Sequence, residues 1–223
     1  MANTRAQKTA QNLSTLTTAG DIAYASAAGT PARLGIGSSA QVLTVASGVP
    51  SWATPSSGMT LIKRATTTGA VNTGTTFDSV FTSTYKTYVI YIENWIAATG
   101  SDAPKIQIRV GGVTRATDYY GVAQNIDRSG ALAYNSTVNQ ASLQMGASGA
   151  LDSAAGAAYQ IIANRVGNSS QKPQLFFSGM GTGSQICISG SLFNDAASTY
   201  DGFILSAASN ITVTAAVYGL ATA

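Results

Sequence analysis

The feature that most constrains this chain is a series of short apolar runs in strict alternation, cut at regular intervals by Gly, Ser, Thr, Asn and Asp. TYVIYIENWI (87–96) places Val89, Tyr91, Glu93 and Trp95 on one face of a strand and Tyr88, Ile90, Ile92 and Asn94 on the other. KIQIRV (105–110) does the same with Ile106, Ile108 and Val110 against Lys105, Gln107 and Arg109. Gly111-Gly112 then separates it from VTRAT, a two-residue hairpin signal, because glycine accepts the positive φ that primed turns require. MTLIKRA opens this region. ALAYNS (131–136), ASLQMG (141–146), AAYQIIANRV (157–166), PQLFFSGM (173–180), SQICISGSLF (184–193), DGFILSAA (201–208) and ITVTAAVYGL (211–220) continue it. About ten short strands with no long helical pattern predict an all-β fold, an antiparallel jelly-roll-like β-sandwich over 59–223.

The first 58 residues follow other rules. Within 1–18, Ala6, Ala10, Leu13 and Leu16 recur at helical spacing, and so short a helix orders only against a partner. Within 19–58, brief apolar pieces (22–24, 34–36, 42–45, 49–52) alternate with turn residues. They are too few to build a core in one chain, but two or three intertwined copies could supply one. GSSAQVLTVASGVPSWATP (37–55) is the clearest case: Leu43, Val45, Val49 and Trp52 are expected to bury against symmetry-related chains.

Charge limits the partners. Asp, Glu, Lys and Arg make up 9% of the chain, against roughly 25% in an ordinary soluble domain, while apolar residues reach 45%. That combination argues against disorder and suits virion-type or extracellular β assemblies with polar, uncharged surfaces. A net charge of +3 with scattered Lys and Arg offers no basic stripe, so no nucleic-acid partner is expected. The absence of His removes the commonest general base and metal ligand. Cys187 sits in an alternating run and reads as a small core or strand residue; one Cys allows no intrachain disulfide. MANTRAQKTAQNL lacks an apolar signal core, and no run approaches the ~18 apolar residues of a membrane span. The expectation is a product made in the cytoplasm without its own export signal or membrane insertion. The four N-x-S/T triplets, from Asn12, Asn135, Asn168 and Asn210, are read as chance matches.

Chemical motifs are sparse. GIGSSA (35–40) matches G-x-G-x-x-A, but the strand-like QVLTVAS follows where a dinucleotide site needs a helix. GMGTGS (179–184) reads as a loop. The eight Asp and one Glu are well separated; Asp118, Asp127, Asp152, Asp195 and Asp201 nearly all sit beside Gly, Ser, Ala or Tyr and read as turn residues rather than a glycosidase pair. No enzyme, metal or cofactor is expected. Among aromatics that could stack on sugars (Trp95, Tyr119, Tyr120, Tyr134, Tyr159, Tyr200), Trp95 and Tyr159 read as strand packing. NIDRSGALAYNSTVNQ (125–140) is the segment best suited to glycan contact, with Asp127, Arg128, Tyr134, Asn135 and Asn139 as candidates.

GDIAYASAAGTPARLGIGSSAQVLTVASGVPSWA (20–53) resembles a module of tailed-bacteriophage fiber and appendage proteins, with its GD-(I/L)-x-Y, RL-x-IG, (G)QVL-T-V and G-x-P-x-W order; Ala40 stands where that family usually has Gly. TTFDSVFTSTYKTYVIYIENW, IQIRVGG, DYYG and the closing ISGSLFNDAASTYDGFILSAASNITVTAAVYGL also resemble a phage structural family. The resemblance implies a virion location and a homotrimeric fiber or tail-associated protein. Its N-terminal segment would dock on other virion proteins through Ala6, Ala10, Leu13 and Leu16. Residues 19–58 would trimerise, and 59–223 would form a knob that binds a host-surface glycan or another receptor. The alternatives are a capsid-attached fiber or decoration protein that stabilises the head or adheres weakly, and a polysaccharide depolymerase, which would need a carboxylate pair facing a groove.

Overall fold

The computed structural model describes residues 15–55, 58–70, 74–98, 103–146, 156–181 and 185–220. Ala6, Ala10, Leu13 and Asp152 lie outside the described residues. Leu16 is half-buried in irregular backbone. Every regular element described is a β-strand and every pairing is antiparallel. The chain divides into two compact units, one up to Ser57 and one from Gly58 onward.

The first unit is two hairpins. Strand β1 (Ile22–Ala27) pairs with β2 (Thr30–Leu34), and β3 (Val42–Ala46) pairs with β4 (Val49–Ala53). Ser47-Gly48 makes the second turn with φ of 52° and 82°, the double positive φ of a type I′ connection. The residues that carry the module resemblance hold these hairpins together. The Asp21 carboxylate accepts from the Thr17 and Thr18 amides (2.9 and 2.8 Å) and from Arg33 Nε at 2.6 Å. The Arg33 hydrogen bond, helped by those amides, pulls the Asp21 pKa down to about 2. Trp52 Nε1 donates to the Gly35 carbonyl at 2.7 Å, and its ring lies so close to Gly37 that a Cβ there would meet Cδ2 at 2.6 Å.

Hairpin register divides the expected association residues. Leu43 faces Trp52 and Val45 faces Pro50, so these share one side, whereas Val49, opposite Ala46, belongs to the other. Leu43 and Val45 are exposed (50% and 77%); Val49 and Trp52 are half-buried within their own chain. Ala40 has a φ of 67°, beside a turn in which the Gln41 amide donates to the Ser38 carbonyl at 3.1 Å. A left-handed residue there favours glycine. Ala40→Gly is therefore expected to stabilise the hairpin unit by about 1 kcal/mol. Amide exchange in β3 and β4 should slow roughly fivefold; unchanged exchange would mean the turn carries no strain.

The second unit is a sandwich. Its strands are β5 (Met59–Ala70), β6 (Thr75–Phe77), β7 (Thr87–Ala97), β8 (Lys105–Val110), β9 (Val113–Thr114), β10 (Tyr119–Asp127) and β11 (Leu132–Gln140). There follow β12 (Leu143–Gln144), β13 (Ala157–Asn164), β14 (Gln174–Gly181), β15 (Gln185–Asn194), β16 (Gly202–Ser206) and β17 (Ile211–Leu220). An eight-stranded sheet runs β11-β10-β15-β14-β13-β7-β17-β5. A five-stranded sheet runs β12-β8-β16-β6, with β9 paired to β8. Both sheets feed one core, in which Ile90, Tyr159, Ile161 and Val217 of the larger meet Phe77, Ile108, Phe203 and Leu205 of the smaller. Strand β13 shows the expected alternation, with Ala157, Tyr159, Ile161 and Ala163 buried. Gly111-Gly112 forms the β8–β9 turn with φ of 56° and 77°.

Two local readings change. Trp95 was expected beside Val89, Tyr91 and Glu93, but a bulge shifts the register between Asn94 and Ile92 against β17, and Trp95 turns into the core at 1% exposure. Strand β10 was not recognisable as a strand, because its inward positions Gly121, Ala123 and Asn125 are small or polar; pairing with β11 and β15 on both sides defines it.

Candidate functional site

The 125–140 segment forms the β10–β11 turn and the edge strand β11. Asp127 Oδ1 accepts from the Ser129 amide (2.8 Å), the Ser129 hydroxyl (2.6 Å) and the Ala131 amide (2.9 Å). These bonds, that of Ser129 foremost, hold its carboxyl below the usual range, so Asp127 is spent on shaping the turn that carries Arg128. Tyr134 is 68% exposed, opposite Gln124. Asn135 faces the other way and donates to the Gly146 carbonyl at 3.2 Å. Asn139 is exposed with a φ of 50°. The period of two therefore splits the five candidates between turn, outer face and inner face.

Two of the other candidate acids are also locally engaged, whereas Asp201 Oδ1 is buried without a hydrogen-bond partner among the described residues. Asp118 accepts from Thr117 Oγ1 and Arg115 Nη2, both at 2.8 Å, which lowers its pKa, and Asp195 pairs with Lys172. Among the aromatics, Trp95, Tyr119, Tyr159 and Tyr200 are buried core residues. Burial pushes the Tyr119 and Tyr159 hydroxyls well above the ordinary tyrosine range. Tyr120 stacks on Phe193 at 5.5 Å. Cys187 does lie on a strand, but it is exposed rather than in the core, since its neighbour Ile188 takes the inward position.

One end of the sandwich carries a cleft that sequence inspection did not single out. The β6–β7 connection supplies Thr82, Ser83, Tyr85 and Lys86, and the β13–β14 connection supplies Arg165, Asn168 and Gln171. It encloses about 360 Å³, within the range of small-ligand sites. Both charged residues that line it, Lys86 and Arg165, are cations, and both are exposed. Arg165 is held at a φ of 61°, where its carbonyl accepts from the Asn168 amide at 3.2 Å. Such backbone costs a non-glycine residue on the order of 1–3 kcal/mol, and functional sites concentrate it. Hydroxyls, amides, two cations and a tyrosine could together bind a carboxylated or phosphorylated sugar.

The outward face of the large sheet is the second candidate. Strand register aligns Leu61, Tyr218, Val89, Ile162 and Phe176 in one row across β5, β17, β7, β13 and β14. The row continues through Ser191 of β15 and Val122 of β10 to Ser136 of β11. Beside it runs a polar row, with Gln160, Ser178, Ser189 and Gln124 between Tyr91 and Tyr134. A groove of about 500 Å³ lies over Tyr120, Val122, Val138, Phe176 and Phe193.

No family model and no curated protein matches the chain. Among the described residues no helix is long and apolar enough to cross a membrane, and no three His, Cys, Asp or Glu side chains converge as a metal site. A sequence signal for the cleft did exist, in STYK (83–86) and RVGNSSQ (165–171), two polar loops with one cation each. Only the pairing of β7 with β13 brings them to the same end.

Proposed function

We propose that this chain is a bacteriophage virion structural protein, a homotrimeric fiber or tail-associated protein whose sandwich binds an acidic glycan of the host surface. The observation that carries the reading is the construction of the hairpin unit. Asp21, Arg33, Gly35, Gly37 and Trp52, all within the segment that resembles the phage appendage module, are the residues that contact one another there. The module thus has a physical reason to be kept together, while Leu43 and Val45 remain exposed for another chain to cover. The charge-poor, all-β second unit fits a knob. The engagement of Asp118, Asp127 and Asp195 in turns and ion pairs supports a binder rather than a hydrolase.

The glycan is placed at the cleft of Lys86 and Arg165, whose cations suit an anionic sugar, with Tyr85 as the aromatic wall. Three weak sites on one trimer would gain avidity without new contacts. The test is full-length chain on an array of acidic and neutral saccharides. Wild type is expected to retain acidic members, and Arg165→Glu or Lys86→Glu to lose about tenfold or more in affinity, the worth of one charge-assisted hydrogen bond. Equal retention by the variants would remove the cleft from the reading; retention of no saccharide would remove the glycan.

A further inference from the structure

We infer that the outward face of the eight-stranded sheet is a self-association surface, covered by a second copy of this chain. This rests on the oligomeric reading above and adds that the sandwich itself, not the hairpins alone, carries the contact between copies. The argument begins with area. Leu61, Tyr91, Val122, Leu132, Tyr134 and Val138 are exposed on this face, and so are Ile162, Phe176, Met180 and Phe193. On side chains of roughly 150–250 Å², their exposed fractions leave on the order of 900 Å² of residue surface uncovered. A lone soluble protein rarely shows an apolar patch beyond roughly 300–600 Å², whereas a standard stable interface uses roughly 800 Å² per partner.

Charge then selects the occupant. The charged residues at one end of the rows, Arg64 and Glu93, are paired bidentately at 2.9 and 2.5 Å. That end of the face therefore offers little net field to a nucleic acid or an anionic lipid surface. The face carries instead an apolar row beside a row of amides and hydroxyls, groups that both donate and accept and so can pair with a neighbouring copy. Polar groups so matched are not left unpaired on burial.

Cys187, exposed on this face opposite Ile126, is a built-in reporter. In full-length chain at micromolar concentration, its reaction with a thiol-specific disulfide reagent is to be followed alongside sedimentation. Wild type is expected to be oligomeric with a protected thiol. Ile162→Lys and Phe176→Lys should weaken association on the order of a hundredfold, as an unpaired buried charge does, and open the thiol. Val113→Lys, on β9 of the smaller sheet, should behave as wild type. Should either variant lose its β-sheet spectrum, Val122→Lys on the same row replaces it. An oligomer that persists in these variants, with Cys187 open throughout, overturns the assignment of this face but leaves self-association standing. A monomeric wild type overturns both. Protection that appears only on adding phosphatidylglycerol vesicles or saccharide to a monomer gives the face to that occupant instead.

Discussion

Phe203→Ala is expected to lower the unfolding free energy of the sandwich by about 4 kcal/mol, the cost of deleting a buried aromatic ring and leaving its cavity. Phe203 is fully buried on β16, stacked on Phe77 with ring centroids 4.8 Å apart and on Phe81 at 5.7 Å. Phe81 in turn meets Tyr88 of β7 edge-on at 4.9 Å, so this line of rings ties the smaller sheet to the larger. Tyr88 is anchored from its other end, where its hydroxyl donates to the Thr82 carbonyl at 2.6 Å. Phe77 and Tyr88 are held by strand pairing and Phe81 by its amide on the Asp201 carbonyl, so they do not readily collapse into the space. For a unit of this size the melting temperature should fall by roughly 10 °C. A loss below about 1 kcal/mol would mean the two sheets are joined elsewhere.

The second large effect is expected at Trp52. Trp52→Ala removes the ring that rests on Gly37 and the donor that satisfies the Gly35 carbonyl. Because the side chain is half-buried, the hairpin unit should lose about 2 kcal/mol rather than the full cost of a core tryptophan. The consequence should be felt between chains. Leu43 lies directly across from Trp52 on the same face, so loosening the ring disorders the surface that another copy would cover. Oligomer dissociation should therefore shift to lower denaturant concentration while the melting of the sandwich stays in place. If mass, dissociation and melting are all unchanged, residues 37–55 are a linker.

Local order was legible in the sequence wherever a single periodicity ran unbroken. AAYQIIANRV (157–166) announced the strand β13, and Gly111-Gly112 a two-residue hairpin, because both depend on neighbours a few residues apart. What failed depended on distant partners. The bulge that turns Trp95 inward belongs to the pairing of β7 with β17, more than a hundred residues later. Strand β10 lacks apolar alternation and exists through its two neighbours. Trp52 looked homeless because Gly35 and Gly37 advertise nothing, and their usefulness lies in the missing side chains.

The functional surfaces follow the same division. Tyr134 and Asn135 are adjacent in sequence, which suggested one site, yet adjacent strand residues point to opposite faces. The cleft of Lys86 and Arg165 joins two loops that only the fold makes neighbours. The apolar row from Leu61 to Val122 draws one residue from each of several strands, each of which looks like an ordinary exposed position in its own segment. No reading of one strand at a time could find it.

The proposed function stands on self-association, with exposed apolar residues in the hairpins and on the large sheet covered by further copies of the chain. Sedimentation equilibrium of the full-length chain at micromolar concentration tests it most directly. A single species with the mass of three chains is expected; a single species with the mass of one chain would contradict it.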